Sequence, residues 1–479
     1  MTDIELPASA KSGVAALRAG SLSMPKVLGM GAAYLAPGVI LITNPAYLGL
    51  VSGKQSWLTI VLDIPVFACL VAVISVFARR YVVTGSLMSY LGEAFGGKSR
   101  IFSGSPLIIG YLLSMPLTAI FVLTFAQGLL LDLKQTWSSN ASAQVLVIAV
   151  VTVIAGYISY RGVVVTARLA IFCTVICAPL VLVLVIAALI HTGGAFTSQF
   201  SLSGMTFSDL VAGLVLVFVG FVGFEGFTAL GRETKDPVRN TLRILPILVG
   251  LVVAVLLVGC VTLVPLLLQH MNQINAGQSP SSIVADAAGI GWIKIPLDAS
   301  LLLATFSCLM AVFNDAARVT STAARDGMLP RYFGQISAKT GTPARALAAM
   351  GVLAIGVPAV SQYVVRQSPL QASAAMGPTL VYLWLVPYCA MCVGVIALKR
   401  REGALWSGAS AAAAFAFVFL VLVLAYSITH ASGTLQKVAP AVALGLAALL
   451  FLVSLPRELS AARQPRPVEL AADEPAPAQ

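Results

Sequence analysis

The residues best able to do chemistry in this sequence sit where charge interrupts long apolar runs. Val219-Gly220-Phe221-Val222-Gly223-Phe224-Glu225-Gly226 places one carboxylate among three glycines inside such a run. A charge at that depth in a membrane costs about 3 kcal/mol even on lenient insertion scales, so each one needs a reason. Glu225 is the acid best placed to take up and release a proton; the competing role is a carboxyl group that only positions a neighbouring helix. Asp63, two residues before Pro65, reads as a local cap or pair near the outer surface. Asp298 opens a later apolar run and reads as interfacial. Asp315 and Arg318 lie three apart on one helical face, where they can pair with each other. Arg232, Glu233, Lys235, Asp236 and Arg239 read as a solvated loop with a secondary part in gating salt bridges.

Other chemistries find little support. The seven cysteines all fall in apolar runs, where thiols pack as small apolar groups. Cys389 and Cys392 spell CxxC without a partner pair. His191, His270 and His430 lie at the ends of apolar runs, and no HExxH or His/Cys cluster exists. The sequence therefore points to no metal and no cofactor. Asn140-Ala141-Ser142 forms a glycosylation triplet in a predicted outer loop.

The elements that must carry Glu225 are helices with breaks. Gly29-Met30-Gly31-Ala32-Ala33-Tyr34-Leu35-Ala36-Pro37-Gly38-Val39-Ile40 is interrupted by Pro37, which removes a backbone donor, and by Gly38, which tolerates unusual dihedrals. Single breaks of this kind serve helix packing. Two of them, opening the two halves of a five-plus-five arrangement, point instead to a transporter's binding site. Unwound backbone at membrane depth is tolerated only where it lines a cavity or is buried in protein. The N-terminal end of a half-helix also carries partial positive charge suited to a carboxylate. Phe221 and Phe224 flank the second break and are placed to close over a substrate, with plain packing as the alternative; Tyr382 and Trp384 are weaker candidates.

Composition sets the class. Of 479 residues, 59% are hydrophobic and only 10% charged, against about 25% charged in a soluble domain. Twelve apolar spans are expected, at roughly 27–50, 57–78, 104–131, 143–160, 166–190, 207–229, 244–268, 296–317, 345–364, 378–398, 404–429 and 438–455. With the N-terminus inside, 24 of the 29 Lys and Arg residues fall in cytoplasmic segments, and Lys54, Lys134, Lys294, Arg366 and Lys437 remain outside. This asymmetry places both termini in the cytoplasm. The net charge of +11 is thus a matter of orientation and of attraction to membrane lipid, with no nucleic-acid partner implied. Residues 1–26 read as a cytoplasmic tail rather than a signal peptide, 27–455 as the membrane domain, and 456–479 as a disordered cytoplasmic tail.

At this point the motifs become specific. Gly223-Phe224-Glu225-Gly226, followed by Arg232-Glu233-Thr234-Lys235-Asp236-Pro237-Val238-Arg239-Asn240, resembles the sixth helix and following loop of the amino acid–polyamine–organocation superfamily. Asn314-Asp315-Ala316-Ala317-Arg318, with Ala324-Arg325-Asp326-Gly327-Met328-Leu329-Pro330 and Gly341-Thr342-Pro343, is similar to the end of that family's eighth helix and its connector. The two blocks stand in the right order, and the layout matches along nearly the whole chain.

The resemblance implies an all-α, twelve-helix membrane protein with a LeuT-like five-plus-five inverted repeat and broken helices one and six. It implies transport of an amino acid, polyamine or related amine, by proton symport or by exchange. Matched residue by residue, the unwound part of helix one falls on Leu35, Ala36, Pro37 and Gly38, where family members hold the substrate carboxylate on backbone groups. Ala-Pro-Gly stands here in place of a Gly-Ser-Gly-like run, so one donor is missing at Pro37. Phe221, Val222, Gly223 and Phe224 match the second half of the site. The glutamate matching Glu225 is linked to pH response and gating, and Asp315 with Arg318 to the inner gate. Where some relatives carry a helix-five lysine, this sequence has Cys177, and no Lys occurs in 166–190; proton coupling and exchange are both open.

An intramembrane enzyme would need a nucleophile with a His or a paired acid at membrane depth. The sequence offers neither arrangement, and it shows no repeated acidic ring or carbonyl-rich filter of a channel.

Overall fold

A computed structural model describes residues 20, 22–192, 197, 199–275, 278–365, 369–429 and 434–461. Most of the two expected tails therefore lies outside the described residues, as do Arg366 and His430. All regular structure among the described residues is helical: α1 Met24–Leu35, α2 Pro37–Ser52, α3 Ser56–Ala78, α4 Ser86–Phe95, α5 Gly97–Asp132, α6 Ala141–Tyr160, α7 Val163–Thr192, α8 Phe207–Val219, α9 Pro237–Gln269, α10 Met271–Asn275, α11 Pro280–Ala287, α12 Lys294–Arg325, α13 Ala344–Val360, α14 Pro369–Arg401, α15 Gly408–Thr429 and α16 Thr434–Ala461. Helix is found in each of the twelve apolar runs of the sequence, with the first interrupted at Ala36 and the sixth at residues 220–225. Ten stretches are long and apolar enough to cross a membrane. The count differs for a physical reason: α1 to α3 form one stretch, Met24–Ala78, and α8 has 13 residues, about 20 Å at 1.5 Å per residue.

Local sequence sets the helix ends. Pro25, Pro37 and Pro237 occupy first-turn positions, where the missing N–H is not needed. Thr206 and Asp209 form a reciprocal capping box on α8. Asn140 of the glycosylation triplet caps α6, accepting from the Ser142 N–H at 3.0 Å.

Helices divide into a centre and a rim. The apolar window of α5 is 78% buried, against 22% for those of α6, α15 and α16; the latter therefore present most of their apolar surface outward, as lipid-facing helices must. α5 packs on α12 and α14, and α9 packs on α2 and α3. At one end of the bundle, Leu22 pairs with the backbone around Thr234, with the Leu22 N–H donating to the Glu233 carbonyl at 2.9 Å. Arg100 meets Asp326 at 3.3 Å in the same region. Lys399 and Arg80 both donate to Glu402, holding its carboxyl below the ordinary glutamate range. At the other end, Gln55 donates to the carbonyls of Ser201 and Ser203, and Lys294 reaches Asp286 at 2.9 Å and Asp132 at 3.7 Å.

Candidate functional site

The two breaks foreseen in the sequence are present, and they face each other. α1 ends at Ala36, whose φ of 46° and ψ of 63° put a non-glycine residue in the left-handed region. The chain leaves that turn through Pro37 directly into α2. Opposite, α8 stops at Val219, turns through residues 220–225 and resumes as a 3-10 helix over Gly226–Glu233. Gly223 has a φ of +77°, and a Cβ there would stand 2.3 Å from the Tyr34 hydroxyl. Both the dihedral and the approach of Tyr34 require glycine.

Between the breaks lies a cavity of about 80 Å³. Its wall includes Tyr34, Leu35, Ala36, Val39, Asn44, Ser114, Phe121, Val222, Cys308 and Val312, and no charged side chain lines it. It has room for several waters or one small solute, well below the 300–1,000 Å³ of a drug-sized site. Most of its polar groups are already engaged. Ser114 and Thr118 donate to carbonyls of their own helix at 2.8 Å, and the Cys308 thiol donates to the Tyr34 carbonyl at 2.9 Å. The exception is Asn44, 4% exposed, whose Nδ2 has no protein partner and lies against Gly220, where a Cβ would meet it at 2.8 Å.

Beside the second break, Glu225 is fully buried. Its Oε1 accepts from the Trp384 indole N–H at 2.9 Å and its Oε2 from the Tyr388 hydroxyl at 2.6 Å. These donors stand four apart on one face of α14, and the Trp384 ring packs edge-on against Tyr111 with centroids 5.1 Å apart. No described cation pairs with Glu225. Gly226, next in sequence, is approached by Asp315 Oδ2 and by the Tyr111 hydroxyl, which a Cβ would meet at 2.9 Å and 3.1 Å. Asp315 Oδ1 has no protein partner.

Further from the cavity, Arg318 Nη2 contacts Glu233 Oε1 at 3.1 Å and Oε2 at 3.0 Å, with both side chains 2% exposed. Arg318 Nη1 also donates to the carbonyl and side-chain oxygens of Asn314, each at 3.0 Å. A second cavity of about 100 Å³ opens beneath the pair, walled by Arg161, Glu233, Arg318 and Thr342 among others.

Several expected placements are corrected by these contacts. Arg318 pairs with Glu233, meeting both of its oxygens through Nη2, and makes no ion pair with Asp315, although both carboxylates are buried. Glu233 consequently belongs to the interior and not to a solvated loop. Asp298, near the start of α12, is fully buried in protein and bonded by the Ser281 and Ser282 hydroxyls. Asp63 is also fully buried, and neither of its oxygens has a protein partner, so it caps nothing. Of the residues assigned to the substrate, Leu35, Ala36 and Val222 line the cavity. Gly38 does not; it faces α7, where its Cβ would meet the Cys177 Sγ at 2.9 Å. Phe221 stacks on Phe67 with centroids 3.6 Å apart, and Phe224 packs near Tyr388 at 6.0 Å, so neither ring covers the cavity. Tyr34, Asn44 and Tyr388 went unassigned. An available signal for Tyr388 was its spacing: two aromatic donors four apart in an otherwise apolar span present their polar handles on one side.

Fold and cavity together define a multi-pass membrane protein with a small uncharged site at a pair of helix breaks. Residues 21–451 match the amino acid permease family, and the chain belongs to that family. The chain is similar to the branched-chain amino acid permease BcaP of Bacillus subtilis, 24% identical over 337 residues, which is 66% of this chain and 69% of that protein. It is similar to the vacuolar cationic amino acid transporter 4 of Arabidopsis thaliana, 25% identical over 205 residues, 42% of this chain and 32% of the relative. The branched-chain amino acid permease BcaP of Lactococcus lactis is 22% identical over 197 residues, 41% of this chain and 40% of the relative. The chain thus spans less than half the length of the last two. The family relationship supports a transporter of amino acids rather than an enzyme.

Proposed function

We propose that this protein is a secondary active transporter for a neutral amino acid with a small apolar side chain, working by alternating access. The observation that carries the reading is the cavity wall: aliphatic and aromatic groups with a few hydroxyls, and no carboxylate to meet a second ammonium. A buried ammonium without a partner costs several kcal/mol, so a polyamine or a cationic amino acid fits this wall poorly. The names of the two BcaP relatives agree with an apolar substrate; the Arabidopsis relative's does not. The substrate carboxylate is assigned to the start of α2, where the helix dipole favours an anion, and its ammonium to carbonyl oxygens of the α1 break and to cavity hydroxyls.

In this reading the chain crosses the membrane twelve times as a LeuT-like five-plus-five inverted repeat, with α1/α2 and α8 with its 3-10 continuation as the broken pair. Both termini and the Arg318–Glu233 end face the cytoplasm, in keeping with the 24-to-5 division of basic residues. The Arg318–Glu233 pair is then an inner gate, shut here between the central cavity and the one beneath it. Glu225, the carboxylate beside the second break, is the group through which protons bias the exchange of access, with Asp315 nearby. Purified protein in liposomes should accumulate a neutral amino acid when the lumen is made alkaline, and an uncoupler should abolish accumulation. Equilibration without accumulation, speeded by internal substrate, would mark an exchanger without net proton coupling.

A further inference from the structure

A third cavity lies away from the transport site, on the outside of the bundle near the basic end. It is an apolar groove of about 670 Å³ between α4, α5, α14, α15 and α16. Its walls include Phe95, Phe102, Leu385, Val393, Phe417 and Phe451. Along α14 it runs from Leu385 to Ala397, about 18 Å at 1.5 Å per residue. That is close to one leaflet of a hydrocarbon core about 30 Å thick.

The two ends of the groove differ in chemistry. The far end, towards Leu385, Val421 and Leu424, is aliphatic. At the near end, Lys98 and Ser99 line the groove, and the Arg401 guanidinium sits 5.1 Å from the centroid of Phe95, a wall residue. The local carboxylates are already taken: Glu402 by Arg80 and Lys399, and Glu93 and Asp326 by Arg100. Lys98, Arg400 and Arg401 have no carboxylate partner among the described residues.

We propose that this groove is a binding site for one anionic phospholipid, with an acyl chain between α14 and α15 and the phosphate at Lys98, Arg400 and Arg401. Length, apolar walls and a basic mouth at the membrane surface select that occupant. An apolar helix from another protein would fill the groove but leave the basic end unanswered, and a zwitterionic lipid would answer it only in part. Basic residues at a membrane surface draw anionic headgroups about fivefold each. The site does not depend on which substrate is carried.

The test is native mass spectrometry of the purified full-length protein, titrated in detergent with phosphatidylglycerol or with phosphatidylcholine of the same acyl chains. Wild type should retain one phosphatidylglycerol in clear preference to phosphatidylcholine. K98Q/R400Q/R401Q should lose that preference, by roughly a hundredfold if the three residues act independently. Ala390→Trp, which fills the groove without touching its charge, should lose bound lipid of both kinds; if it does not fold, Val393→Phe serves the same purpose. Equal retention of the two lipids by wild type would overturn the proposal. So would full retention by the groove-filling variants, which would put the lipid elsewhere, or a wild-type dimer that those variants dissolve, which would give the groove to a second copy.

Discussion

Arg318 and Glu233 are 85 residues apart in sequence and 3.0 Å apart in space, and each side chain is 2% exposed. The pair joins the C-terminal part of α12 to the last residue of the 3-10 segment that continues the broken α8. Charges removed from water this completely are stable only together. Arg318→Met or Glu233→Leu should each lower stability by about 3–5 kcal/mol, because either leaves one buried charge unpaired. Arg318→Met with Glu233→Leu should recover most of that loss. If the pair is a gate as well as a brace, the double variant will remain slow in transport. Chemical unfolding of the three variants, read as a double-mutant cycle, measures the coupling directly; additive losses would remove it.

Gly38 and Gly223 are both small, for different reasons. Gly38 lies 2.9 Å, measured from an added Cβ, from the Cys177 thiol of α7, whereas Gly223 meets Tyr34 at 2.3 Å and has a φ of +77°. Gly38→Ala should therefore be rescued by Cys177→Ala, which removes the clashing sulfur. Gly223→Ala should not be rescued by Tyr34→Phe, since ring carbons also approach within 2.5 Å and the dihedral penalty remains. Uptake rates of the two single and two double variants check both halves of this expectation.

The breaks were legible because they are written locally: Pro37 after a short apolar run, and three glycines around Glu225. The identity of the contacts was not. Glu225 is held by Trp384 and Tyr388, 159 and 163 residues further on, and nothing in its own neighbourhood points to them. The i,i+3 spacing of Asp315 and Arg318 permits a pair, yet Arg318 meets Glu233 of another element, 85 residues away in sequence. Asp298 is covered by the Ser281 and Ser282 hydroxyls of α11, contacts that its own apolar run does not signal. Local sequence sets where helices start and stop; which buried charge meets which donor is decided by packing between distant elements.

Glu225→Gln tests the proton-responsive group. The glutamine oxygen can accept from the Trp384 indole, and its amide can donate to the Tyr388 hydroxyl, which is able to reverse its role. The variant should therefore fold and bind substrate near wild-type affinity. Its transport rate should lose the wild-type dependence on pH, because no proton can leave or join. Uptake measured across the neutral pH range distinguishes this from a positioning role, in which the pH profile would persist.

Asn44 separates binding from stability. Its buried Nδ2 has no protein partner, and an unmade hydrogen bond of this kind costs about 1–3 kcal/mol. Asn44→Leu should leave the protein as stable as wild type or more so. If the amide is held for the substrate, KM should rise about tenfold, equivalent to roughly 1.4 kcal/mol. Thermal denaturation and uptake kinetics on the same preparation give the two values side by side.

The central claim is that the cavity takes a small, neutral, apolar amino acid. Initial uptake rates in proteoliposomes, measured at matched concentrations for leucine, valine, alanine, lysine and putrescine, test it most directly. The uncharged wall predicts saturable uptake of one or more of the first three, with lysine and putrescine at least a hundredfold slower, since seating their second ammonium without a carboxylate costs several kcal/mol. Uptake of lysine or putrescine as fast as that of any neutral amino acid would contradict it.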